Sequence, residues 1–228
     1  MEQYGAGKPL LMIHGNGGSI ASMAKIIPFF SRHYKVIAID SRAHGKSKDP
    51  GDSLSFEMMA DDDAAIMKKM HLDSAYVIGW SDGGIIALVL AMRNPKMVIK
   101  LASTGANLWP DSTALLPSVW KDEKKYFDSL HSTNFKTLKE RNDWKIFMLD
   151  WLQPNIKLNE LKNISCPALI ISGDHDLINL EHTIQIYQNI PLAYLWILPN
   201  SGHGTLIEHT DDFDIQVNKF FEMPFKAY

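Results

Sequence analysis

The chain has 228 residues, 46% hydrophobic and 21% charged, the balance of an ordinary globular protein rather than a disordered or fibrous one. Lys and Arg total 23 and Asp and Glu 26, a formal charge of −3, which speaks against a general electrostatic grip on nucleic acid or an anionic membrane. No apolar run approaches the roughly 18 residues of a membrane span, the first residues carry no charged-then-apolar leader, and the lone Cys166 allows no internal disulfide and fits a reducing cytoplasm.

Apolar runs alternate with helix-like stretches along the chain. Pro9–Ile13 reads as a buried strand ending in the Gly-rich turn His14-Gly15-Asn16-Gly17-Gly18. Ser19 then caps a helix predicted to reach about Arg32, bent or stopped near Pro28. A second strand covers 34–39 and ends at Asp40. Residues 56–70 have helical spacing, with Met59, Ile66 and Met70 on one inner face. Within them Asp61-Asp62-Asp63 point in different directions and read as a solvated face. Ala75–Trp80 is a third strand, followed by Ser81-Asp82-Gly83-Gly84 and an apolar helix over 85–93; 97–102 is a fourth strand. Continuous apolar strands alternating with helices predict an α/β fold with a doubly wound, mostly parallel sheet.

The rhythm breaks between 106 and 160. No strand is evident there, and Trp109, Trp120, Trp144 and Trp151 fall among short helical pieces at 121–129 and 144–152. This stretch reads as a small helical cap inserted in a core made of 1–105 and 161–228. A strand at 167–172, a helix at 180–188, the strand Ala193–Leu198 and a helix at 207–221 complete the core.

The sharpest chemical signal is Gly79-Trp80-Ser81-Asp82-Gly83, a G-x-S-x-G pentapeptide between a strand and a helix. A serine on such a turn stands proud of the sheet edge, and the helix N-terminus behind it favours developing negative charge. A serine nucleophile needs a base, and the base needs an orienting acid. On this topology the acid and then the histidine follow late strands. Gly173-Asp174-His175-Asp176 and Ser201-Gly202-His203-Gly204 stand at those two places, leaving Asp174 and Asp176 as candidate acids and His203 as base on a loop loosened by two glycines. The backbone N–H of Asp82 and that of Asn16, in the turn after the first apolar strand, are the expected oxyanion donors. Among nine histidines, His14 and His44 belong to turns and brace them, and His209 lies inside the last helix. His175 sits in a Gly-Asp-His-Asp string that invites a metal, but no third ligand stands at suitable spacing, so no metal is expected.

Together with Asp40-Ser41-Arg42-Ala43-His44-Gly45-Lys46-Ser47, these motifs resemble the α/β-hydrolase-fold serine hydrolases over nearly the whole chain. The resemblance implies that the acid is the fourth residue of Gly-x-x-Asp, Asp176 rather than Asp174. The elbow Gly-Trp-Ser-Asp-Gly-Gly, with Gly105-Ala106-Asn107 after the next strand, is most similar to the biphenyl-hydrolase-like branch that includes valacyclovir hydrolase. Two departures stand out. The family's second motif commonly has glycine where this chain has Ala43. Members also usually begin with a β-hairpin, which here is reduced or absent, so that the 34–39 strand is expected near an unprotected edge.

The expectation is a cofactor-free serine hydrolase that acts on small-molecule carboxylic esters through Ser81, Asp176 and His203, amino-acid esters among them. Asp82 is read either as a helix-capping acid or as an anchor for a cationic substrate group, and Trp109 and Trp144 as cap residues lining the pocket. The alternatives are a thioesterase, a lactonase or a carbon–carbon bond hydrolase of the same fold, or a ligand receptor without turnover.

Overall fold

Leu10 and Met12 turn to one face of the sheet and Leu11 and Ile13 to the other, and both faces are buried. That double burial is why the strands read as unbroken apolar runs. The computed structural model describes residues 1–226. Its strands are β1 (Glu2–Tyr4), β2 (Pro9–Ile13), β3 (Lys35–Ile39), β4 (Ala75–Trp80), β5 (Val98–Thr104), β6 (Ala168–Gly173) and β7 (Ala193–Leu198). They form one sheet in the order β1-β3-β2-β4-β5-β6-β7, with β1 antiparallel to β3 and every other pairing parallel.

The helices are α1 (Ile27–Phe30), α2 (Phe56–Lys69), α3 (Asp82–Arg93), α4 (Pro117–Leu130), α5 (Leu138–Leu152), α6 (Leu180–Asn189), α7 (Thr205–Glu208) and α8 (Thr210–Glu222). Helices α1 and α8 cover one face of the sheet through Ile27, Phe30, Phe213 and Val217. Helices α2, α3 and α6 cover the other through Phe56, Met67, Leu88 and Ile186. Among the described residues, no helix is long and apolar enough to cross a membrane.

Several expectations are corrected. The helix predicted from Ser19 to Arg32 is broken into a 3-10 turn, Ile20–Met23, and the single turn of α1. The N–H of Ile20 is captured by Asp40 Oδ1 at 2.8 Å, and Pro28, which has no N–H, sits in the first turn of the restarted helix. The last predicted helix is split at His209, whose backbone is not helical and whose Nε2–H donates to Asn200 O. The fully buried residues of α2 are Phe56, Met59, Ala60, Asp63, Ala64 and Met67, with Ile66 and Met70 half-buried against the same cluster. The acidic triplet therefore divides. Asp61 pairs with Arg93 and Asp62 with Arg42, while Asp63 is 3% exposed with one carboxyl oxygen unpartnered. Burial pushes the Asp63 carboxyl well above the usual range.

Strand β3 does not end the sheet, because β1 pairs along it from Glu2↔Ala38 to Tyr4↔Val36. Ala43 has φ +66°. An L-residue is strained there and glycine is not, which accounts for the family's glycine at this position.

Helices α4 and α5 are longer than the pieces read from sequence. Thr137 and Glu140 form a capping box that starts α5. No residue of α4 is fully buried, and in α5 only Leu149 is. The pair is held together by ring stacking, with Phe127 of α4 4.9 Å from Trp151 and 6.0 Å from Trp144 of α5. The anchors to the core are largely polar. Lys145 Nζ meets Asp49 Oδ2 at 2.6 Å, and Asn142 Nδ2 and Gln153 Nε2 donate to the carbonyls of Ala43 and Leu54.

Candidate active site

Strand β2 lies between β3 and β4, so the chain leaves the middle of the sheet in both directions and opens a crevice at the strands' carboxyl ends. The loops after β2 and β4 meet there. The turn after β4 is tight enough that a Cβ on Gly83 would stand 2.1 Å from Ile13 O, and one on Gly79 would stand 2.1 Å from Gly83 O. Ser81, at the apex, has φ +57°, a strained conformation for a residue with a side chain. Its N–H donates to Thr104 O at 2.8 Å, and its carbonyl accepts from Gly84 and Ile85 to start α3.

From this apex Ser81 Oγ lies 2.9 Å from His203 Nε2, and His203 Nδ1 lies 2.7 Å from Asp176 Oδ1. The Asp176 side chain is 1% exposed and also accepts from Ser172 Oγ and the N–H of Ile178. A buried carboxylate beside Nδ1 favours the tautomer with its proton on Nδ1, leaving Nε2 free to accept from Ser81. Asp174 is turned elsewhere. It is exposed, accepts from the N–H of Ser201 and from His175 Nδ1, and these bonds hold its carboxyl well below the usual range.

The histidine loop is more tightly tied than its glycines suggest. Glu208 Oε2 accepts from the N–H of Gly202 at 2.7 Å, and Trp80 Nε1–H donates to His203 O at 2.9 Å. His14 and His44 brace the neighbouring loops through Gly15 O, Ser41 N–H and Arg42 O. Burial lowers the His14 imidazole pKa.

The N–H groups of Asn16 and Asp82 have no protein acceptor among the described residues, as donors kept for a ligand would be. The Asp82 side chain caps no backbone group. It is buried, accepts from Asn16 Nδ2 at 3.0 Å and is hydrogen-bonded to the carboxyl of Asp150 on α5. Asn16 Nδ2 also donates to Ile146 O, joining the loop after β2 to the same helix. Glu123 on α4 faces this pair. Burial raises the pKa of all three carboxyls, that of Asp150 well above the usual range, and the Asp82–Asp150 contact requires a shared proton. Asp150 and Glu123 carry no local motif. The available signal was a lone carboxylate in the apolar run Ile146-Phe147-Met148-Leu149-Asp150-Trp151.

Trp109 and Trp144 are engaged otherwise. Trp109 packs edge-on to His182 at 4.4 Å and donates to Thr113 Oγ1, and Trp144 stacks on Phe127 and packs at a tilt against Phe135 and Phe147. None of these partners belongs to the Ser81 group. Two surface cavities, of about 500 Å³ beside Tyr4 and Asp40 and about 400 Å³ beside Asp49 and Met59, lie away from Ser81 as well.

A family model described as the alpha/beta hydrolase fold matches residues 8–143. Human serine hydrolase BPHL is 27% identical over 203 residues, covering 83% of this chain and 70% of that protein, in keeping with the branch read from the elbow. The pimeloyl acyl-carrier-protein methyl ester esterase of Legionella pneumophila is 27% identical over 247 residues, covering 97% of this chain and 98% of that protein. Among solved structures, a meta-cleavage product hydrolase from Pseudomonas fluorescens superposes with TM-score 0.77 at 24% identity, over 96% of this chain and 92% of that one.

Proposed function

The chain belongs to the alpha/beta hydrolase fold family, and on that premise we propose that it is a serine hydrolase cleaving small carboxylic esters through an acyl-enzyme. The observation that carries the reading is the unbroken hydrogen-bonded line from Ser81 through His203 to Asp176, at 2.9 and 2.7 Å. Ser81 Oγ attacks the ester carbonyl while His203 Nε2 takes its proton. Asp176 holds the imidazole in orientation and stabilises its charged form. The N–H groups of Asn16 and Asp82 receive the oxyanion, a stabilisation of about 3 kcal/mol for each well-aimed donor. His203 then returns the proton to the leaving alcohol, and water repeats the cycle on the acyl group. A fluorophosphonate probe is expected to attach covalently to Ser81, identified by peptide mass. An unlabelled wild-type protein would remove the reading. The likeness to a meta-cleavage product hydrolase makes carbon–carbon bond hydrolysis the second reaction to assay.

One observation favours a finer substrate class. Asp82, Asp150 and Glu123 converge next to Ser81, and an ammonium group entering there replaces the proton that the first two share. Esters whose acyl part carries an α-amino group suit that exchange. Asp82→Asn retains the backbone donor and removes the charge. It is expected to lower kcat/KM for amino-acid esters by roughly tenfold more than for neutral esters of equal size. Equal losses on the two substrate types would dismiss the amino-ester assignment while leaving the hydrolase intact.

A further inference from the structure

Trp80 is the last residue of β4 and the residue before Ser81, and its indole N–H donates 2.9 Å to the main-chain carbonyl of His203. The bond joins the nucleophile's own neighbour to the backbone of the residue that carries the base, without passing through the Ser81–His203 contact. The indole packs against the apolar cluster under α8, and its ring centre stands 6.1 Å from the imidazole. Packing therefore fixes the ring and aims its single donor. A second bond lies on the far side of His203. Thr205 Oγ1 and Thr104 Oγ1 meet at 2.7 Å, both residues 0% exposed, and the carbonyl of the same Thr104 accepts the N–H of Ser81.

The remaining ties of the loop do different work. Asp174 holds Ser201 and Glu208 holds Gly202, and both partners stand beside the loop rather than on the elbow. They shape the loop but do not set how far it stands from Ser81. Trp80 and Thr205 span that gap. A proton transfer contact is sensitive to displacements of an ångström or less, and a base flanked by Gly202 and Gly204 has little stiffness of its own.

We propose that Trp80 is a positioning residue: through its indole N–H it sets the separation of the His203 imidazole from Ser81, with Thr205 as the companion strut. The inference rests on the serine hydrolase reading. Trp80→Phe keeps a ring and deletes the donor. The measurements are kcat and KM for p-nitrophenyl acetate and the second-order rate of inactivation by a fluorophosphonate, on the wild type, on Trp80→Phe and on Thr205→Val. In Trp80→Phe, kcat and the inactivation rate should fall together by roughly ten- to a hundredfold, with KM within about twofold of wild type. Thr205→Val should show the same pattern, and it carries the test alone if the tryptophan variant does not fold. Wild-type kcat and inactivation rate in the variant under test would overturn the proposal, as would a raised KM at unchanged kcat, which marks a pocket wall instead. If the wild type itself is not labelled, the serine hydrolase reading fails first, so the two failures are distinguishable.

Discussion

Ser81→Ala is expected to lower kcat for p-nitrophenyl acetate by about six orders of magnitude, the loss seen when a triad nucleophile is deleted, while the folded structure persists. The two halves of that expectation have separate grounds. Among the described residues the only hydrogen bond of Ser81 Oγ is to His203 Nε2, so the proposed chemistry has no substitute nucleophile held against the base. The turn itself is maintained by main-chain bonds from Ser81 N–H to Thr104 and from Gly84 and Ile85 to Ser81 O, none of which needs the hydroxyl. Alanine meets the same positive φ as serine, so the melting temperature should change little. Parallel steady-state assays and thermal melts check both halves. A variant that hydrolyses at the wild-type rate would end the nucleophile assignment.

Asp176→Asn should cost about 10⁴ in kcat, whereas Asp174→Asn should cost less than about tenfold. The carboxylate of Asp176 accepts from His203 Nδ1. An asparagine amide placed there can donate instead, which moves the imidazole proton to Nε2 and blocks acceptance from Ser81. Asp174 bonds to Ser201 and His175, so its replacement loosens one end of the loop without changing the tautomer of the base. Kinetics of the two variants on one ester decide between two acids that lie two residues apart. A loss concentrated in Asp174→Asn would reverse the assignment.

The comparison of these two aspartates illustrates what was legible in the sequence. Both follow β6 and both stand in an acidic loop, and spacing alone leaves them equal; the family pattern selects Asp176, and Asp176 is the carboxylate that stands against His203 Nδ1. The strands were legible because burial on both faces writes an unbroken apolar run. The elbow was legible because its tight turn is a local demand on Gly79 and Gly83. Effects that come from distant chain were not. Asp40 takes the N–H of Ile20 and interrupts a helix predicted to run through it. The three-residue strand β1 is polar at Glu2 and Gln3, and only pairing with β3 makes it a strand. A carboxylate is ordinarily solvated, so Asp63 reads as outward-facing, yet it shares the helical phase of Met59 and Met67 and is carried inward with them. Asp150 and Glu123 reach the elbow only because α4 and α5 fold back over it.

The ring stack that joins α4 to α5 also gives the protein an optical property. Trp120 and Trp151 lie 6.3 Å apart with their planes 22° from parallel, and Trp144 belongs to the same stack through Phe127 and Phe147. Indoles that close and that nearly aligned couple their electronic transitions, so this helix pair contributes its own signal to near-ultraviolet circular dichroism. A change in the seating of α4 and α5 over the crevice would thus register in the unlabelled chain's own spectrum.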